Sequence, residues 1–262
     1  KLAVIGGTGV THTNILTNIR EETMETPYGQ VPYMIGELDG REIAFIYRHG
    51  RNHTIPPHLI NFRANIWALK RLGVQQIIAS GAVGSLNLAM KPGDFVIIDQ
   101  FIDFTKSRIN TFFEGGDRGV VHVDVTNPYC GQIRNTIMAA AEQIGLAVHK
   151  VGTYVCTEGP RFETPAEIAM YAKLGADVVG MTNVPEVALA REAEMCYATV
   201  AIVTNYAAGI SPQPLTHGEV LDIARRNKDN TKRLFKTALS LLDPEKDCAC
   251  RHALVEYGGF KL

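Results

Sequence analysis

Thr157 to Glu192 reads TEGPRFETPAEIAMYAKLGADVVGMTNVPEVALARE, and its side-chain chemistry marks a strand set between two helices. Thr164-Pro165-Ala166-Glu167 has the capping-box pattern, with proline at the first helical position, where a missing N–H costs nothing. Ile168, Tyr171 and Leu174 follow at helical spacing, and Gly175 is placed to end the helix. Asp177 to Met181 is a short buried-strand pattern that stops at Thr182. Asn183-Val184-Pro185-Glu186 then reads as a second capped helix start. A strand running into a helix N-terminus gathers backbone N–H groups and the positive end of a helix dipole at one point. Thr182 brings a hydroxyl there, and Glu163 stands one residue before the first cap. An ordinary strand–turn–helix unit has the same signature, so the other strand ends decide.

They share its chemical flavour. Leu2 to Ile5 is a buried-strand pattern that runs into Gly6-Gly7-Thr8-Gly9, glycines that let a ligand approach the backbone and a hydroxyl for an anion. A dinucleotide fingerprint fails on spacing, because its third glycine falls on His12. Gly40 to Tyr47 is a further strand and delivers Arg48-His49-Gly50-Arg51-Asn52-His53, a loop suited to an anion or, more plainly, to solvent. A metal is disfavoured there, since no neighbouring carboxylate or cysteine completes a ligand set. Asn61 to Leu72 is an amphipathic helix; Ile77 to Ser85 is a strand ending in small residues, and Phe95 to Phe101 is another strand. Asp103 to Asn127, with its His122, reads as a long excursion, functional or interfacial by its length. Gln132 to Leu146 is a helix, Val151 to Cys156 a strand, and Cys196 to Thr204 a buried strand that ends at Asn205. Thr216-His217-Gly218-Glu219 is a third capping box, opening a helix that runs towards Leu242 and setting His217 at its first position.

Alternating strands and helices imply an α/β sheet with a site along one edge, built as one domain over the 262 residues. A net charge of −1 without Lys/Arg clusters argues against nucleic acid or a membrane surface as partner. No apolar run reaches membrane-spanning length and no signal peptide precedes Lys1, so the expected location is cytoplasmic. Cys130, Cys156 and Cys196 read as buried free thiols. Cys248 and Cys250 form a Cys-x-Cys without a further pair in sequence, too little for a zinc site or a disulfide scaffold. In a thermophile that pair is expected to stabilise through disulfides.

Taken together, GGTG at 6–9, RHG at 48–50, NFRANIWALK at 61–70, PGDFVIIDQFID at 92–103, EGPRF at 158–162 and GMTNVPEVALARE at 180–192 resemble the trimeric purine nucleoside phosphorylases, in particular the methylthioadenosine-phosphorylase branch. The resemblance runs from Leu2 to about Leu242 and leaves the tail, about 243–262, outside it. It implies a single domain with a central mixed sheet, partly closed into a barrel and flanked by helices, assembled as a homotrimer or a dimer of trimers. The implied reaction is reversible phosphorolysis of a purine nucleoside, with inorganic phosphate as co-substrate and no metal or redox cofactor. Phosphate would be held by Thr8, Arg48, His49, Ala82 and Thr182. Met181 would lie under the ribose with His53 nearby, Phe162 would cover the purine, and Glu163 and Asn205, beside Ala207, would read its edge. His122 would reach a neighbouring subunit's site, and His217 would border the 5′ position of the sugar.

One departure matters. Adenine-specific members carry a serine after EGPRF and an aspartate pair where this chain has Asn205-Tyr206-Ala207. Glu163 and Asn205 are instead similar to the pair of inosine- and guanosine-cleaving phosphorylases, which makes a 6-oxopurine nucleoside the expected substrate. Methylthioadenosine or methylthioinosine cleavage is the alternative among enzymes. A non-catalytic nucleoside- or phosphate-binding protein on the same frame is the alternative outside them.

Overall fold

Two parallel strands, β5 (Gln76–Ser85) and β10 (Cys196–Tyr206), form the axis of the molecule. Both are almost wholly buried apolar runs, the pattern of strands covered on both faces. The computed structural model describes residues 1–7, 10, 15–211 and 216–261, and of His217 and Glu219 the backbone only. Around the axis a ten-stranded mixed sheet runs in the order β2-β3-β4-β1-β5-β9-β8-β7, with β10 on β5 and β6 on β10. The remaining strands are β1 (Leu2–Gly6), β2 (Thr17–Thr26), β3 (Gly29–Leu38), β4 (Arg41–Tyr47), β6 (Phe95–Ile97), β7 (Gln100–Phe104), β8 (Thr153–Thr157) and β9 (Val178–Gly180).

Strand alternation sorts the core into two faces. Ala3, Ile5, Ile77, Ala79 and Tyr197 enter one cluster with helices α1 (Phe62–Arg71) and α4 (Glu186–Glu192). Leu2, Val4, Ile78, Cys196 and Val200 enter the other with α2 (Gly131–Gln143) and α6 (Lys228–Leu241). The mixed sheet flanked by helices is the expected one. Pairings β5–β10, β10–β6, β7–β8, β8–β9 and β9–β5 follow part of a ring; between β6 and β7 the Ile98 N–H donates to the Thr199 carbonyl and the Asp99 N–H to the Gly152 carbonyl. The single strand expected over Phe95–Phe101 is therefore two, each serving a different neighbour.

Helix α3 (Pro165–Lys173) starts as its sequence dictates: the Thr164 hydroxyl accepts from the Glu167 N–H, and the Glu167 carboxylate accepts from the Thr164 N–H. The start of α4 differs from expectation. Asn183 caps nothing with its side chain; its carbonyl accepts from the Tyr129 hydroxyl at 2.9 Å and its amide donates to Thr199 at 3.1 Å. The helix running from His217 is two helices, α5 (His217–Arg226) and α6, divided at Asn227, whose amide is held by the Gly93 carbonyl at 3.0 Å. The third capping box depends on side chains outside the described residues. Past α6, Glu194 accepts from the N–H groups of Leu254 and Phe260 and so fastens the tail to the domain. No helix among the described residues is long and apolar enough to cross a membrane.

Candidate active site

The carboxyl ends of β1, β4, β5 and β10 meet at one edge of the sheet, where ligands of open α/β sheets bind. Strand β9 runs antiparallel to the end of β5, with Gly84 opposite Val179, and so carries Met181 and Thr182 back alongside Gly81 to Val83. These ends enclose a cavity of about 490 Å³. Arg48, His49, His53, Ala82, Phe162, Glu163, Met181, Thr182, Asn205 and Ala207, ten of the positions singled out in the sequence, all line it. Thr8 lies outside the described residues, as does the side chain of His217. His122 is exposed on the long loop and does not line this cavity.

Arg48 is fully buried, with its Nε and Nη2 donating to the two Glu186 carboxylate oxygens at 2.7 and 2.6 Å. Its Nη1 donates to the Ser80 carbonyl at 2.7 Å. A guanidinium carries five N–H donors; these contacts commit three and leave one on each terminal nitrogen, a fork open to an oxyanion. Burial works against the arginine's charge, but the Glu186 carboxylate outweighs it and holds the pKa above its ordinary value. Gly7 makes this arrangement possible: a Cβ there would stand 2.6 Å from the Ser80 carbonyl oxygen and 2.8 Å from Arg48 Nη1. Glu186 also accepts from the Tyr197 hydroxyl at 2.7 Å, which continues through Thr199 to Asn183 and Tyr129. This buried chain of hydrogen bonds fixes the arginine's position.

His49 brings no charge. Burial, then the neighbouring Arg48, pushes its pKa down to about 4, so the ring is neutral near pH 7. Its Nδ1 lies 2.9 Å from the Ile55 carbonyl and, as the donor, leaves Nε2 with a lone pair. The His53 ring lies 4.4 Å from it, centroid to centroid, on a residue with φ +56°.

Farther along β5, Gly84 lies opposite Asn205 across a register shift between Val203 and Asn205. The extra residue re-aims the strand, which continues to Tyr206 instead of stopping at Thr204. The Asn205 carbonyl accepts from the Thr204 hydroxyl at 2.8 Å, and its Nδ2 donates to the Tyr206 carbonyl at 2.9 Å. One Nδ2 hydrogen is left for a ligand. A Cβ on Gly84 would sit 3.2 Å from that nitrogen, so glycine gives the amide its room. Glu163 is turned inward: it is 9% exposed, and its Oε1 accepts from the Thr157 hydroxyl at 2.6 Å. Burial pushes its pKa up against that hydrogen bond. Phe162 stands at the cavity wall with 39% of its surface exposed, a large apolar area for an aromatic ligand to cover.

Two contributors escape sequence reasoning. Glu186 looks like a helix-capping acid, and its only signal is a carboxylate beside the apolar Val187 and Leu189. Ser80, wholly buried, accepts the Gly7 N–H on its hydroxyl at 2.9 Å as well as Arg48 on its carbonyl.

A sequence model of the phosphorylase superfamily matches residues 1–240. The chain belongs to this superfamily. The 6-oxopurine nucleoside phosphorylase of Pyrococcus furiosus is 55% identical over 97% of both chains. The S-methyl-5′-thioadenosine phosphorylase of Thermofilum pendens is 46% identical over 98% of this chain and 97% of its own. Among solved structures, the methylthioadenosine phosphorylase of Schistosoma mansoni in complex with adenine superposes with a TM-score of 0.92 at 33% identity, covering 98% of this chain and 96% of that one.

Proposed function

We propose that the chain is a pentosyltransferase of purine salvage that catalyses reversible phosphorolysis of 6-oxopurine nucleosides, inosine and guanosine, to free base and ribose 1-phosphate. The observation that carries this reading is the placing of Glu163 and Asn205 in the same cavity as the Arg48 fork. Strand β5 measures the separation: Arg48 binds at Ser80 and Asn205 lies at Gly84, four residues and so about 13 Å apart at roughly 3.3 Å per residue. The sugar fits between, over Met181 and beside His53.

Breaking the glycosidic bond leaves positive charge on the sugar and negative charge on the purine. Phosphate on Arg48 and Thr182, near Ala82 and with Thr8 of the GGTG sequence, stabilises the first; the spare Asn205 amide hydrogen, beside Ala207, stabilises the second at N7 or O6. Neutral His49 offers its Nε2 lone pair as the acceptor of a hydrogen bond from the O–H of monohydrogen phosphate. Phosphate is itself the nucleophile, so the reaction draws on no redox cofactor; holding it in line with the ribose supplies further acceleration.

An ionised Glu163 only accepts hydrogen bonds. It pairs with N1–H of hypoxanthine or guanine and faces the lone pair of adenine N1. Each buried mismatch costs about 1–3 kcal/mol. Two of them amount to a preference on the order of 10²–10⁴ in kcat/KM for inosine over adenosine. Steady-state rates on both nucleosides, in the parent and in Asn205→Asp, test this, and equal efficiencies in the parent overturn it. The alternative, a 5′-methylthio nucleoside, draws support from Val220, an apolar residue that α5 brings into the cavity three positions past His217. Methylthioinosine measured beside inosine decides the 5′ group. The implied homotrimer or dimer of trimers belongs to the same proposal, with apolar Leu59 and Ile109 exposed on one groove as its support.

A further inference from the structure

Four of the five cysteines meet at the end of the sheet remote from the cavity. Cys196 opens β10, Cys130 is the N-cap residue of α2, and Cys248 and Cys250 arrive from the tail. The Cys-x-Cys that lacks a second pair in sequence receives one from the fold. The four Sγ atoms all lie within 4.8 Å of one another, and Cys130 and Cys248 are 3.6 Å apart across 118 residues of chain. Cys130, Cys196 and Cys250 are buried and Cys248 is half-buried; all five cysteines of the chain are free thiols.

The spacing has a chemical meaning. A tetrahedron with metal–sulfur bonds of about 2.3 Å has sulfur–sulfur edges of about 3.8 Å, whereas a disulfide brings its sulfurs to about 2.05 Å. Cys130 and Cys248 stand near that edge length, and no pair of the quartet is more than 4.8 Å apart. Its ligand set is sulfur only, which selects borderline and soft cations over calcium or magnesium. The negative charge of a metal tetrathiolate has a built-in offset: Cys130 is the N-cap residue of α2, at the positive end of the helix dipole.

We propose that Cys130, Cys196, Cys248 and Cys250 form a closed tetrathiolate site for a zinc-class divalent cation, which staples the C-terminal tail to the start of β10 and of α2. Each thiol releases its proton to solvent as its sulfur binds the metal, leaving four Cys–metal bonds and no position for water or substrate, the coordination of a structural site. Nine residues of β10 separate Cys196 from Asn205, about 30 Å at roughly 3.3 Å per residue, so the site stands apart from the chemistry and independent of its substrate.

Cobalt(II) added to the reduced, metal-free full-length chain tests the site. Expected are one cobalt per chain, thiolate-to-cobalt charge-transfer bands in the near ultraviolet, tetrahedral d–d bands in the visible, and displacement of both by zinc. Cys248→Ser should weaken cobalt binding at least tenfold, while Cys156→Ser, outside the quartet, leaves it unchanged. Zinc should raise the melting temperature of the parent and leave that of Cys248→Ser unmoved. Absence of the cobalt bands in parent protein whose four thiols remain titratable overturns the proposal. So does a mass showing disulfides among these cysteines in protein purified without air.

Discussion

Glu163 shows how one side chain's surroundings set both its charge and its discrimination. Burial raises its pKa above the ordinary 4.5, while the Thr157 hydroxyl on Oε1 pulls the other way. On the proposed reading its ionised form accepts N1–H from a 6-oxopurine; protonated, it becomes a donor and suits adenine N1. Acid should therefore erode inosine cleavage and spare adenosine cleavage. The ratio of the two kcat/KM values cancels the titration of phosphate and of every group common to both substrates. It is expected to fall as pH drops through a midpoint above 4.5, and to lose that dependence in Glu163→Gln. A ratio that titrates identically in Glu163→Gln removes Glu163 from base reading. This residue was legible in the sequence because it stands beside a capping box and a recognisable EGPRF. Its burial and the Thr157 contact were not, since Thr157 lies six residues away across a turn.

Elements were readable in proportion to their periodicity. The capping box of α3 and the apolar runs of β5 and β10 appear as expected because local chemistry and tertiary burial agree there. The hairpin β2–β3 left no signal: β2 carries Arg20, Glu21 and Glu22 on a mostly exposed strand, paired with Glu42 and Arg51 through salt bridges. Charge on an edge strand guards against stray pairing and also hides the strand. Helix α4 was found for the wrong reason. Its function is to place Glu186 against Arg48, and a contact across 138 residues cannot be read from spacing. Glu186→Gln keeps one acceptor and removes the counter-charge, so the fork loses its bidentate anchor. We expect the KM for phosphate to rise roughly 10- to 100-fold, the equivalent of about 1.5–3 kcal/mol, with the KM for inosine moved far less. Glu186→Asp should restore part of the phosphate affinity. Equal changes in both KM values would mean that Glu186 only supports the fold.

At the scale of the molecule, the single chain leaves apolar surface unexplained beside its cavity. Leu59 is 65% and Ile109 51% exposed, and both line a groove with Pro27, Tyr28 and Arg63 next to the loop that closes the cavity at Pro56 and Pro57. Exposed apolar side chains on one groove suit the interface proposed above. His122 points the same way: it is exposed and away from its own chain's cavity, while the resemblance assigns it to a neighbour's. Sedimentation should give a trimer or hexamer, and Leu59→Asp should shift it towards monomer. The sharper test uses two variants. Arg48→Ala loses the phosphate fork, and His122→Ala loses a contact worth about 0.5–1.5 kcal/mol, roughly 2- to 10-fold in rate. A mixed oligomer places intact His122 side chains from Arg48→Ala chains beside the sites of His122→Ala chains, which keep their own Arg48. If His122 acts across the interface, activity per His122→Ala chain rises on co-expression towards that of the parent. If it acts within its own chain or not at all, that activity stays at the value of the His122→Ala oligomer alone, and the shared site is refuted.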